Sequence, residues 1–142
     1  MINKTVSYYN NADDSKSKIR YNLDYVLGMI KDNQELFQQT VRLRSMPTEK
    51  EYKQAKKLLP MIAPSGVFDY RNDNPENLRE YSNVLVLDFD HFQNHLDAGE
   101  FKRNLIDNAD RLYIYALWFS PSGLGVKVAM LHDNTTPMYH NE

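Results

Sequence analysis

Asp88 and Asp90 sit at the end of the run Val84-Leu-Val-Leu-Asp-Phe-Asp90, which is otherwise apolar. Carboxylates beside apolar surface are costly unless paired or bound to a cation. In a strand, alternate residues share a face. Val84, Val86, Asp88 and Asp90 would then line one side, and Leu85, Leu87 and Phe89 the other. Two residues of rise set the Asp88 and Asp90 Cα atoms roughly 6.5 Å apart. Side chains at that spacing can converge on one cation or a pair, and hard oxygen ligands suit Mg²⁺ or Mn²⁺. The plainer reading is a strand that has ended, with both acids facing water or capping the next turn.

A second group lies downstream in Phe119-Ser-Pro-Ser-Gly-Leu-Gly-Val-Lys127. Gly123 and Gly125 permit positive φ and let backbone N–H groups turn toward an anion. Ser122 adds a hydroxyl. Lys127 should point away from the face shared by Val126 and Val128. An ordinary hairpin with a surface lysine accounts for the same residues. A Walker A loop does not, because that motif leads Gly-Lys-Ser/Thr into a helix, and here Gly125-Val126-Lys127 leads into a strand. Taken together, an acid pair for metal and a serine–glycine–lysine group for phosphates are what a nucleoside triphosphate site requires.

Other candidates are weaker. Lys50, Lys53 and Lys57 fall on one side of an expected helix, opposite Tyr52, Ala55 and Leu59. They form a solvated charged face or, with Arg42 and Arg44 nearby, a stripe that contacts DNA phosphates. His91 and His95 could join a metal site if the intervening residues were helical, which the sequence between them does not favour. Asp88-x-Asp90 also fits a haloacid-dehalogenase-like phosphatase, with a nucleophilic first acid. Such enzymes usually carry the motif near the N-terminus and need a downstream acidic pair, and neither condition holds.

The elements that must position these groups follow from periodicity. Thr5 to Tyr9 reads as a strand, and Asn10 to Ser17 as a loop. Leu23, Val26, Leu27 and Ile30 mark an amphipathic helix, and a second helix spans Gln34 to Arg44. Thr48 followed by Glu51 forms a capping box for a third helix, Glu49 to Leu58. Pro60 and Pro64 end this mainly helical part, residues 1–64. A short strand, Val67 to Tyr70, precedes a loop with room for one helical turn, Arg71 to Glu80. Then come a strand at Asn83 to Phe89, a helix at Asp97 to Asp107 with Phe101, Leu105 and Ile106 inward, and strands at Leu112 to Phe119 and Val126 to Leu131. Apolar residues on both faces of Val84 to Phe89 point to a central, doubly covered strand. Asp133 to Glu142 reads as a loop entering a helix. The expected fold is α+β: an RRM-like, mostly antiparallel sheet over residues 65–142, flanked by helices and by the helical N-terminal segment.

The 142 residues suit one domain. A net charge of −2 is not that of a protein that coats nucleic acid, although a local stripe is compatible with it. The absence of cysteine removes disulfide, thiolate-nucleophile and thiolate-metal chemistry and fits a cytoplasmic location. There is no apolar run of membrane-spanning length and no apolar leader near the start.

Three segments, KKLLPMIAPSGVF, YSNVLVLDFDHF and WFSPSGLGVKV, in that order and spacing, resemble the VirE-type N-terminal domain of Bacteroidetes mobile-element proteins. That domain is similar in turn to the catalytic half of archaeo-eukaryotic primase–polymerases. The resemblance covers about residues 40–132. It implies that Asp88 and Asp90 bind catalytic divalent metals, and that Ser122 and Lys127 contact the incoming nucleotide. It also implies metal-assisted attack of a 3′-hydroxyl on a nucleotide α-phosphate during replication of a mobile element. Lys127 stands where related enzymes often have histidine. A third acidic strand motif of the superfamily has no match before Glu142, so the chain reads as truncated and inactive alone. The alternative expectation is a non-catalytic DNA- or nucleotide-binding module.

Overall fold

The computed structural model describes residues 2–72 and 74–133. The loop and helix start expected from Asp133 to Glu142 lie, but for Asp133 itself, outside them. The described elements are β1 (Thr5–Tyr9), β2 (Arg20–Asn22), α1 (Leu23–Asp32), α2 (Gln34–Arg44), α3 (Glu49–Lys56), β3 (Met61–Ala63) and β4 (Gly66–Phe68), then β5 (Leu78–Tyr81), β6 (Val84–Phe89), α4 (His95–Asp107), α5 (Ala109–Leu112), β7 (Ile114–Phe119) and β8 (Val126–Leu131). The fold is α+β, and each strand pairing described is antiparallel. No described helix is long and apolar enough to cross a membrane.

Local chemistry accounts for the helix starts. Asn22 Oδ1 accepts from Asp24 N, and Asn33 Oδ1 accepts from Leu36 N, so asparagine caps both α1 and α2. Asn33 also ends α1, its N–H donating to Met29 O. Thr48 caps α3 through Glu51 N at 3.1 Å, and Asn94 caps α4 through Asp97 N at 2.8 Å.

The strands form three small sheets, with orders β2-β1-β3, β4-β5 and β6-β8-β7. In the first, β1 is flanked on both sides, and Val6, Ser7, Tyr8 and Tyr9 are all buried. Ser7 Oγ accepts from Phe68 N at 2.9 Å, which ties β1 to β4. The third sheet is a β-α-β-β unit in which the hairpin strand β8 lies between β6 and β7. This is the order of the first three strands of an RRM-like sheet.

Register assigns the two faces of that sheet. Val84 faces Leu131, Val86 faces Ala129, and Asp88 faces Lys127. On the other side of β8, Ala116 faces Ala129 and Trp118 faces Lys127. This face carries the core: Leu23 of α1, Val84 and Ala129 are fully buried, with Leu27, Ile62, Val86, Ala116, Trp118 and Leu131 packed around them. Burying a side chain such as Leu23 contributes about 1.5–3 kcal/mol. On the opposite face Phe101 of α4 stacks against Phe89 and Phe92, with ring centroids 5.0 and 5.1 Å apart.

Four expectations need correcting. Among the described residues β6 lies at the edge of its sheet, and β8 holds the centre. Helices on both faces made β6 apolar throughout, but Leu87 and Phe89 remain 38% exposed because nothing described covers its outer edge. The strand expected from Leu112 starts at Ile114, because α5 occupies Ala109–Leu112 and Tyr113 closes it in the left-handed conformation, φ 58°. Ile106 is 53% exposed rather than inward. Of the expected loop from Arg71 to Glu80, the one helical turn is present at Pro75–Asn77, and the end is a strand, β5.

Candidate functional site

The two sequence motifs meet at one end of the β6-β8-β7 sheet. Asp88 lies near the end of β6, directly across the ladder from Lys127. Lys127 Nζ donates to Asp88 Oδ2 at 3.0 Å. The side chains are 30% exposed for Lys127 and 47% for Asp88, so the pair faces solvent at the rim of the α1-covered face. Lys127 leaves the side shared by Val126 and Val128, as its alternation requires.

Asp90 follows one residue past the end of β6. Its Oδ1 accepts from His91 N at 3.0 Å. The same oxygen lies 2.9 Å from where a Cβ on Gly125 would stand, beside Ser120 Oγ at 2.8 Å and Phe89 O at 3.0 Å. Gly125 is therefore a close-approach glycine: its bare Cα lets the end of β6 and the turn pack together. His91 adopts φ 65°, a left-handed conformation that is uncommon outside glycine. It turns the chain from β6 toward α4.

The turn itself is internally bonded. Gly123 N donates to Ser120 O at 2.9 Å, and Ser120 N donates to Gly125 O at 2.9 Å. Ser122 Oγ accepts from Leu124 N at 3.1 Å and shares a hydrogen bond with Ser120 Oγ at 3.1 Å. Gly123 has φ 75°, which suits glycine alone at low cost. Two of the amides expected to cradle an anion, Gly123 N–H and Leu124 N–H, thus already have partners inside the turn. Phe92 N donates to Leu124 O at 3.0 Å and His95 Nδ1 to Gly123 O at 3.1 Å, so the segment after Asp90 is fastened to the turn as well.

His95 begins α4 and His91 precedes it, so the two are not on one helix. Among the described residues, no group of three or more His, Cys, Asp or Glu gathers closely enough to hold a metal. The donor set at this corner is two carboxylates. Ions such as Mg²⁺ are commonly held by one or two carboxylates, with water and substrate phosphates completing the shell, so Asp88 and Asp90 are donors of the type such an ion takes.

Lys50, Lys53 and Lys57 border a shallow surface concavity on α3 together with Glu49 and Gln54. Lys53 pairs with Glu49 at 3.1 Å one helical turn away, which offsets part of the positive charge of the stripe.

One further cation at the corner is grouped by the sequence with the lysine stripe rather than with the turn. Arg44, at the end of α2, reaches the turn: Nε donates to Pro121 O at 2.9 Å and Nη2 to Ser120 O at 3.4 Å. Its sequence distance from the turn, 77 residues, hides the contact from any reading by spacing.

Residues 53–141 match the family model described as BT4734-like, N-terminal domain. The chain belongs to this family. The matched span of this BT4734-like domain holds Asp88, Asp90, the glycine turn and Lys127, while α1, α2 and Arg44 precede it. No curated protein matches the chain. No solved structure matches it either.

Proposed function

We propose that this BT4734-like domain binds a nucleoside triphosphate with Mg²⁺ or Mn²⁺, as a primase–polymerase-like module of the VirE N-terminal type serving DNA replication of a mobile element. The observation that carries the reading is the shared corner: Asp88 paired with Lys127 across β6 and β8, and Asp90 packed on Gly125 of the turn. Asp88 and Asp90 would hold the ion, which when bound neutralises phosphate charge. The ion and Lys127 compete for Asp88, so Lys127 exchanges that carboxylate for a phosphate oxygen as the ligand arrives. Ser122 and the turn fix the wall against which the phosphates lie. The exposed Lys50, Lys53 and Lys57 are placed to meet a DNA backbone.

Nucleotidyl transfer asks for more than binding. The donor set of two carboxylates, with no third acid or histidine clustered among the described residues, favours a second reading: a nucleotide- or DNA-binding module without transfer activity of its own. Calorimetric titration with ATP and dATP in Mg²⁺ tests the shared part. Binding abolished by chelator and weakened at least tenfold in Asp88→Asn is expected, whereas equal affinity in that variant defeats the proposal. Extension of a primed oligonucleotide separates the readings: labelled product supports transfer, and binding without product supports the module.

A further inference from the structure

We infer that Arg44 is the polyphosphate-recognising cation of this corner, a role that rests on the nucleotide reading for its ligand but on separate residues for its chemistry. Two of the turn's amides are closed to an anion, because Gly123 N–H and Leu124 N–H are spent on Ser120 O and Ser122 Oγ. Lys127 must release Asp88 before it can meet a phosphate. A guanidinium carries about five N–H donors in a planar fork. Arg44 uses two of its nitrogens on the carbonyls of Pro121 and Ser120, which fixes the plane of the group and leaves its remaining donors free. Arg44 has no carboxylate partner among the described residues, unlike Arg20, which pairs with Glu80, and Arg79, which pairs with Asp69.

Gly123 leaves room for this placement. A Cβ on Gly123 would stand 3.1 Å from Arg44 Cζ and 2.8 Å from His95 Nδ1. The guanidinium therefore packs close against the bare Cα of Gly123. Pre-fixing a planar fork at a turn is the arrangement that recognises phosphate bidentately at little entropic cost. Because Arg44 comes from α2, the helical segment that precedes the matched span contributes directly to the site.

The test uses the full chain and two probes, inorganic tripolyphosphate without metal and ATP with Mg²⁺. Arg44→Gln keeps a donor for a turn carbonyl, and Arg44→Lys keeps the charge. Losing a charge-assisted bidentate contact should weaken tripolyphosphate binding roughly ten- to hundredfold in Arg44→Gln. Arg44→Lys should recover only part of that loss, and AMP binding should change little. A uniform loss across AMP, ATP and tripolyphosphate would instead mean that Arg44 merely orders the turn, and the inference falls. If ATP binds and Arg44→Gln leaves its affinity intact, the inference falls while the nucleotide reading stands. If ATP does not bind but tripolyphosphate binds through Arg44, the nucleotide reading falls and the inference stands. Binding of neither probe removes both.

Discussion

Asp88 and Lys127 face each other across the β6–β8 ladder, and their charged ends meet at 3.0 Å. An acid expected to bind metal is thus held by the lysine expected to bind phosphate. Partly exposed pairs of this kind contribute only about 0–1 kcal/mol to stability. Asp88→Asn should therefore shift the urea midpoint little while removing Mg²⁺-dependent ATP binding. A large loss of stability without a change in affinity would assign the pair a structural role only.

Gly125→Ala tests the close approach of Asp90. The added methyl would meet Ser120 Oγ, Asp90 Oδ1 and Phe89 O within 3.0 Å. Overpacking of this kind costs about 1–3 kcal/mol. Thermal unfolding should fall accordingly, and the Asp90 carboxylate should be displaced, lowering metal-dependent binding as well. Unchanged stability would mean that the turn and the end of β6 are not in contact.

Acid should weaken the anchor that ties Lys4, just before β1, to α1 and β7. Lys4 Nζ donates to Asp24 Oδ2 at 2.6 Å and to Tyr115 OH at 3.0 Å, and Tyr115 OH donates to Asp24 Oδ1. Hydrogen bonds from Lys4, then from Tyr115, hold the Asp24 carboxyl below its usual value, while hydrogen bonds to Asp24, then to Tyr115, raise Lys4. A depressed carboxylate contributes stability above its unfolded pKa of about 3.9 and loses it as pH falls through the lower, folded value. The raised Lys4 value contributes below the unfolded lysine range and is lost at the alkaline extreme. Asp24→Asn should therefore be less stable than the parent near pH 7, by no more than about 1 kcal/mol at this exposed site. The difference should close below about pH 4. Denaturation midpoints from acid to neutral pH measure it, and a gap that persists in acid would contradict the assignment.

Leu23→Ala removes the α1 side chain that fills the core between Val84 and Ala129. A fully buried leucine truncated in this way costs about 2–5 kcal/mol. Loss of cooperative unfolding, or an unfolding free energy lowered by that amount, is expected. A loss below about 1 kcal/mol would mean that α1 does not pack on this sheet.

Long, periodic elements are legible in the residues themselves. Leu23, Val26, Leu27 and Ile30 place α1, the Thr48 cap marks the start of α3, and the apolar run ending at Asp88 places β6. The three-residue strands β2 and β3 are not legible, because so short a run carries no period and its strand state comes from pairing with β1. Strand rank is equally hidden. Helix coverage on both faces gives an edge strand and a central strand the same apolar pattern, so β6 reads as central although β8 is.

The local pattern of residues alone determined that Asp88 and Lys127 would leave the apolar run on chemically useful sides of their strands, because side chains alternate along a strand whatever its neighbours. Register decided that they touch, since a slip of one residue would have put Lys127 on the α4 side of the sheet. Tertiary packing alone decided that Arg44 lies on the glycine turn. That contact depends on a helix and a hairpin 77 residues apart coming together, and sequence spacing carries no information about it.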